Sequence, residues 1–306
     1  CIRDSTSSAV AASPVATHQT ASSLTLSWSA PTVSTGAEAT GYQVYLVTVG
    51  AGTTEPVYTV VYDGAGSMAT SVELSSLDSG SLYTYVLSSL SAAGESDYSA
   101  PMSASTAPGV ATGLLSTLQT TSSIALSWTA PTIPSGSAVT GYKVYSRSGS
   151  VGLAVQGVDG TDSVVTDSLV YDGRGDVTTS TDPLDNVLDD LEGGSLYTYL
   201  LGVLSLAGES DRSASLDVST AAPAPTALAS VSQTTTGMEL SWTAPAIPSG
   251  EAVTGYKVYR DDGAGGAVDV VAYDSRENSG DYVATSCSVS GLTGGLTYKY
   301  EVSALS

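Results

Sequence analysis

The residues able to do chemistry are few. His18 is the only histidine in 306 residues, and Cys1 and Cys287 are the only cysteines. A zinc site takes three or four Cys, His or carboxylate ligands in register, and a Ser-His-Asp relay needs a positioned imidazole. Carboxylates remain. Asp159, Asp162 and Asp167, then Asp182, Asp185, Asp189, Asp190 and Glu192, crowd one stretch of chain. Calcium takes roughly six to eight oxygens from a defined loop, and the Asp-x-Asp-x-Asp-Gly spacing is absent. Asp182, Asp185, Asp189 and Asp190 come nearest to a Ca²⁺ set, with solvated turns as the preferred reading. No residue is assigned a catalytic role, no cofactor or metal is expected, and the chain reads as a non-enzyme.

The balance of charge narrows the partners. Thirty acidic residues against nine basic give a net charge of −21. Phosphate binding needs Lys and Arg clusters, so nucleic acid is excluded and an anionic membrane surface is disfavoured. No apolar run reaches the roughly 18 residues that cross a bilayer. Neither an initiator Met nor a basic-then-apolar leader is present, which reads as a mature, processed or partial product. No Asn-x-Ser/Thr sequon occurs. N-linked glycan is therefore not expected, while abundant Ser and Thr leave O-linked glycan open without a site.

The elements that must position any site repeat three times. Leu24-Thr-Leu-Ser-Trp28-Ser-Ala-Pro31, Ile124-Ala-Leu-Ser-Trp128-Thr-Ala-Pro131 and Met238-Glu-Leu-Ser-Trp242-Thr-Ala-Pro245 are one motif. Each Trp is followed 14 residues later by Tyr42, Tyr142 or Tyr256 within Gly-Tyr-x-Val-Tyr. Leu77, Leu191 and Leu292 each precede Tyr83, Tyr197 or Tyr298 by six residues. Apolar and polar residues alternate with a period of two, and Gly, Pro, Ser and Asp fall between the runs. About seven short strands per repeat predict an all-β chain of two-sheet sandwiches.

These motifs resemble fibronectin type III repeats. The resemblance rests on the Trp of the second strand, Thr-Gly-Tyr-Lys-Val-Tyr at 140–145 and 254–259, Leu-x-x-Gly-x-x-Tyr-x-Tyr, and Ala-Gly-Glu-Ser-Asp-x-Ser-Ala at 93–100 and 207–214. It implies three tandem Ig-like sandwiches in an elongated rod, each with strands A-B-E facing C′-C-F-G. Trp28, Trp128 and Trp242 are then core anchors, and Tyr83, Tyr197 and Tyr298 corner tyrosines bonded to backbone. Tyr85, Tyr199 and Tyr300 depart from the family, which often has Phe there. Arg174-Gly175-Asp176 spells an adhesion tripeptide of some fibronectin repeats, but it stands near strand C′ and reads as a turn. Cys287 falls on strand E and Cys1 on strand G. The resembled fold puts these strands in different sheets, so a bond between the two within one domain is disfavoured and one to a neighbouring subunit stays open. Cys1 as first residue is also compatible with a lipidated, processed end.

The two ends of the chain do not match its middle. Repeats 1 and 2 carry the motif and strand that follow Tyr85 and Tyr199, whereas repeat 3 runs from Tyr298 to Ser306 without one. Thr6, Thr106 and Thr220 each precede a Trp by 22 residues, so Ile2 aligns with Met102 and Leu216. The expected organisation is a donor segment at 1–12, repeat 1 at 13–107, repeat 2 at 108–222 with an insertion about 146–195, and repeat 3 at 223–306. An unpaired strand edge is a template for another strand. Cys1, Ile2, Asp4, Thr6, Ser8 and Val10 of one chain would enter a groove formed by Tyr298, Tyr300, Val302 and Ala304 of the next, as in donor-strand pilus-type subunits. Head-to-tail contacts of this kind give open filaments. The partner expected is the chain itself, in an extracellular or cell-surface fibre. The alternatives are an adhesion module that binds through its loops, or a spacer fragment of a longer secreted protein.

Overall fold

The computed structural model describes residues 9–32, 37–50, 52, 54–148, 166–177, 179, 188–277 and 281–306. Repeat 1 comprises β1 (Val15–Gln19), β2 (Ser23–Ser27), β3 (Ala39–Val49), β4 (Pro56–Ala65), β5 (Ser71–Ser75), β6 (Leu82–Ser91), β7 (Gly94–Glu95) and β8 (Met102–Ser105). One sheet has the order β1-β2-β5 and the other β4-β3-β6-β7, with β8 paired to the first half of β6. The period-two pattern turns Leu24 and Leu26 inward from β2, Tyr42 and Val44 from β3, and Tyr85 and Leu87 from β6. Trp28 closes this core with its indole edge-on to Tyr42, ring centroids 5.6 Å apart, the arrangement that ring quadrupoles favour.

Repeat 2 follows the same plan in β9 (Thr112–Gln119), β10 (Ile124–Thr129), β11 (Val139–Ser148), β12 (Thr166–Arg174), β13 (Leu196–Ser205), β14 (Gly208–Glu209) and β15 (Leu216–Ser219). Its second sheet has the order β12-β11-β13-β14, with β15 on β13. Trp128 meets Tyr142 edge-on at 5.2 Å. Strand β12 takes the place of β4 within the interval expected to hold the insertion. The 14 extra residues of this repeat divide, with nine before Tyr171 and five between Tyr171 and Leu191.

Repeat 3 comprises β16 (Thr226–Gln233), β17 (Gly237–Thr243), β18 (Gly255–Arg260), β19 (Val270–Asp274), β20 (Ser286–Ser290) and β21 (Tyr300–Leu305). Its sheets have the orders β16-β17-β20 and β19-β18-β21. Trp242 and Tyr256 pack edge-on at 5.3 Å. The three Trp amides donate to equivalent carbonyls, of Thr70, Thr179 and Thr285, at 2.9–3.0 Å. Strand sandwiches with these sheet orders are what the sequence predicts, and the described residues are all-β apart from one short 3-10 turn, Ser275–Glu277. Among the described residues no helix is long and apolar enough to cross a membrane.

The corner tyrosines repeat too. Tyr83 Oη accepts the N–H of Asp78 and Tyr197 Oη that of Glu192, both at 2.8 Å, and Tyr298 Oη accepts that of Thr293 at 3.0 Å. Each bond ties the turn before the strand to the strand itself, a fixture of this sandwich type.

Candidate strand-acceptor edge of the third repeat

A complete repeat shows what the outer side of its sixth strand needs. In repeat 1, β8 pairs Leu82–Tyr85 with Ser105–Met102. Beyond β8 the Gly-Glu-Ser-Asp-x-Ser segment finishes the job with side chains. The N–H groups of Leu87 and Ser89 donate to Ser99 Oγ and Ser96 Oγ, each at 3.0 Å, and those serines return their own N–H groups to the same residues' carbonyls. Repeat 2 does the same through Ser213 and Ser210 on Leu201 and Val203, at 2.9 and 3.0 Å. The serines are buried. Their hydroxyls are small enough to enter the sandwich and carry the acceptor that a buried N–H requires.

The glutamate of the same segment anchors it to the neighbouring strand. Glu95 accepts from Tyr45 Oη and, at 2.6 Å, from Ser88 Oγ. Glu209 accepts from Tyr145 Oη at 2.7 Å and Lys143 Nζ at 3.1 Å and pairs with Arg212, whose guanidinium lies over the Tyr145 ring. Burial pushes the Glu209 carboxyl up, but the Tyr145 and Lys143 hydrogen bonds and the Arg212 and Lys143 charges outweigh it, leaving it below the usual range. Burial, then the same carboxylate, push the Tyr145 hydroxyl up to about 12.

Repeat 3 has none of this among its described residues. Strand β21 pairs only with β18, and it begins at Tyr300, whereas β6 begins at Leu82. The shortening has a direct cause: the first residues of β6 are laddered by β8, and nothing ladders Leu296–Lys299 on that side. Tyr300, Val302 and Ala304 correspond to Tyr85, Leu87 and Ser89. By this register the N–H groups of Val302 and Ala304 face outward along an open edge. The apolar layer is opened as well. Tyr85 and Tyr199 are 1% exposed, and Leu87 and Leu201 fully buried, whereas Tyr300 and Val302 are only half-buried. A groove of about 390 Å³ runs here, lined by Leu228 and Met238 on one side and Leu296, Tyr298 and Tyr300 on the other.

Of the residues expected to line the acceptor, Tyr298 and Tyr300 border this groove, and Val302 and Ala304 continue its inner face above it. The opposite wall, Leu228 and Met238, was absent from the sequence reading. Its signal was available, since Leu228 stands where Leu114 packs against the repeat 2 core. One compensation is local. Asp261, buried, directly follows β18, and its Oδ1 accepts the Lys299 N–H at 3.0 Å.

The donor residues Cys1, Ile2, Asp4, Thr6 and Ser8 lie outside the described residues. Val10 is described, and its neighbours hold it to repeat 1. Ala9 O accepts from Ser89 Oγ, Ala11 is buried in the repeat 1 core, and Ser13 Oγ donates to Ala100 O. Ala9, Ala11 and Ser13 are thus bound to repeat 1, overlapping the span expected as donor at 1–12.

Other candidates disperse. Asp182 and Asp185 lie outside the described residues. Asp190 is exposed with φ +57°, Asp189 half-buried, and no group of three Cys, His, Asp or Glu converges among the described residues. Asp167 forms an ion pair with Arg147 at 2.8 Å. Arg174-Gly175-Asp176 is a hydrogen-bonded turn in which Tyr171 Oη donates to the Asp176 carboxylate at 3.0 Å. His18 lies exposed on β1. Cys287 is buried in the repeat 3 core, and burial pushes its thiol up to about 11.

The chain is similar to several known proteins. Chitinase A1 of Niallia circulans is 37% identical over 158 residues, which is 47% of this chain and 20% of that protein, so the match spans about a fifth of the relative's length. The FN1–FN3 domains of chicken CNTN1 align over 97% of this chain and 93% of theirs at 12% identity, TM-score 0.30. A two-domain fibronectin type III segment of chicken tenascin aligns over 69% and 99% at 21% identity, TM-score 0.31. The fibronectin type III domain model matches residues 9–105 and 223–306, the stretches that fold here as the first and third sandwiches. Sandwich order, corner tyrosines and matched residues over more than half its length place the chain in the fibronectin type III family.

Proposed function

We propose that the chain is a non-catalytic structural subunit of an extracellular fibre, joined head-to-tail by a strand from one copy added to the open edge of repeat 3 in the next. The observation that carries this is the unladdered outer side of β21 beside a groove lined by Leu228, Met238, Leu296, Tyr298 and Tyr300. An extended segment gains main-chain bonds along such an edge and buries alternate side chains in the groove. Residues 1–8 fit the lower half by register: Ile2 takes the place of Met102, and Thr6 that of Thr106, whose Oγ1 donates to Asp78 O at 2.7 Å in repeat 1. The test is sedimentation and negative-stain microscopy of the chain beside a form lacking residues 1–8. Filaments from the first alone are expected. A chain that stays monomeric at millimolar concentration overturns the reading.

A second reading, a spacer within a longer secreted protein, is favoured by a specific observation. Val302 and Ala304 stand where repeats 1 and 2 use a Gly-Glu-Ser-x-x-Ser segment, which residues 1–8 lack. The likeness to part of a chitinase supports the same reading. A gene encoding that segment directly after Ser306, with monomers throughout, selects it.

A further inference from the structure

The two junctions between repeats are closed by the same four residues, Ile133-Pro134-Ser135-Gly136 and Ile247-Pro248-Ser249-Gly250. At the first, Gly80 O accepts the N–H of Gly136 at 2.8 Å and of Ser135 at 3.4 Å, while the Leu82 N–H donates to Ser135 Oγ at 3.0 Å. At the second, Gly194 O accepts from Gly250 at 2.8 Å and Ser249 at 3.4 Å, while Leu196 donates to Ser249 Oγ at 3.0 Å. The isoleucines cap the turn, with Cδ1 3.0 and 2.9 Å from where a Cβ on Gly80 or Gly194 would lie. The other face of each turn is held within its own repeat, Gly80 N–H by Ala107 O and Gly194 N–H by Ala221 O.

The contact requires glycine on both sides. Gly80 and Gly194 have φ of +60° and +69°, a region that costs side-chain-bearing residues about 1 kcal/mol or more. A Cβ on Gly136 or Gly250 would lie 2.6 Å from the facing carbonyl oxygen. Two junctions that agree in sequence, partners and distances are one joint used twice.

We propose that the turn at 293–297 in repeat 3 is the outgoing half of the same joint, and that its occupant is the Ile-Pro-Ser-Gly loop of a further fibronectin type III repeat of this kind. Gly295, with φ +85°, stands in the place of Gly80 and Gly194, and Thr297 in that of Leu82 and Leu196. The turn has the same seating. A Cβ on Gly294 would meet Thr235 O at 3.1 Å, as one on Gly193 would meet Thr121 O at 2.9 Å. The exposed carbonyl of Gly295 and N–H of Thr297 are the acceptor and donor that the loop matches. The inference is independent of strand addition, because the joint uses neither Val302 nor Ala304.

Amide hydrogen exchange tests it at single residues. In the present chain, Gly136→Ala speeds exchange of the Leu82 amide by about tenfold and leaves Leu196 unchanged, with the reverse for Gly250→Ala. The chain is then extended after Ser306 by a second copy of residues 206–306, which supplies both a strand and a loop. The Thr297 amide is expected to exchange about tenfold more slowly than in the unextended chain, and Gly250→Ala in the added copy alone restores the fast rate while Val302 and Ala304 stay protected. Protection of Val302 and Ala304 without protection of Thr297 overturns the joint and spares strand addition. Protection of Thr297 alone does the opposite. Equal protection of Thr297 with and without the alanine also overturns the joint, as does a Leu82 rate indifferent to Gly136→Ala.

Discussion

Tyr83 and Tyr85 stack with ring centroids 6.3 Å apart, yet their hydroxyls have opposite surroundings. Tyr83 Oη accepts the Asp78 N–H at 2.8 Å, whereas Tyr85 Oη is buried and meets no partner among the described residues. A net hydrogen bond is worth about 0.5–1.5 kcal/mol, and a buried unpaired hydroxyl costs about as much or more. Tyr83→Phe is therefore expected to destabilise repeat 1 by about 1 kcal/mol. Tyr85→Phe, one strand pleat away, is expected to be neutral or stabilising by up to about 1 kcal/mol. Denaturant unfolding of the two variants checks the contrast, and a loss at Tyr85 equal to that at Tyr83 would refute it.

The same pair marks how far the sequence can be read. The six-residue interval from Leu77 to Tyr83 is local text with one structural meaning, and the corner bond follows from it. The Trp-to-Tyr interval likewise yields the edge-on pairs Trp28–Tyr42, Trp128–Tyr142 and Trp242–Tyr256. Period two fixed which residues face inward, down to Leu24 and Leu26. What could not be read was which polar groups meet across distance. Ile133-Pro-Ser-Gly136 repeats verbatim at 247–250, but its partner Gly80 lies over 50 residues upstream, and no periodicity links them. The burial of Ala11 in repeat 1 escapes the pattern for a related reason. Ala11 is small and lies among alanines and serines, so its burial comes from packing and leaves no pattern.

Ser99 and Ser213 test the side-chain half of the strand edge. Each hydroxyl is the acceptor for a buried backbone donor, Leu87 N–H at 3.0 Å and Leu201 N–H at 2.9 Å. Alanine leaves that donor buried with half its geometry unfilled, a loss of about 1–3 kcal/mol. Ser99→Ala and Ser213→Ala should each lower the unfolding midpoint of their own repeat, read by exchange of the Leu87 or Leu201 amide. Unchanged protection at those amides would show that the hydroxyls are dispensable.

Glu209 gives repeat 2 an acid-sensitive brace. Its carboxyl is held below its ordinary value of 4.5 by Tyr145, Lys143 and Arg212 against the opposing effect of burial. A group depressed on folding contributes stability that is full above its unfolded pKa and is lost as pH falls through the folded one. Repeat 2 should therefore lose stability as pH falls below about 4.5, and Glu209→Gln should flatten that part of the profile while lowering stability at neutral pH. Melting curves between roughly pH 3 and 7 read both effects. An unaltered acid slope in the glutamine variant would remove Glu209 from the account.

Cys287 reports on the open side of repeat 3. It sits on β20, opposite Leu240 of β17, in the same core that includes Tyr300 and Val302 at its opened margin. Burial raises its thiol from 9.0 to about 11. At pH 8 the thiolate fraction then falls by roughly 100-fold, and thiolate is the species that reacts. Alkylation of Cys287 in the native chain should be slower than in the unfolded chain by at least that factor, since access is restricted as well. Filling the groove with a strand covers Tyr298 and Tyr300 and reduces the opening motions that expose the sulfur. A peptide of residues 93–106, which carries the repeat 1 edge segment and β8, should slow the reaction further, by about tenfold at saturation. A peptide with Ser96 and Ser99 both replaced by alanine keeps the strand but loses the two hydroxyl acceptors, and should be weaker. Equal rates with and without peptide, under conditions where the peptide is shown to bind, would mean that Cys287 is shielded by β17 and β20 alone, and that the margin at β21 has no mechanical connection to the core it borders.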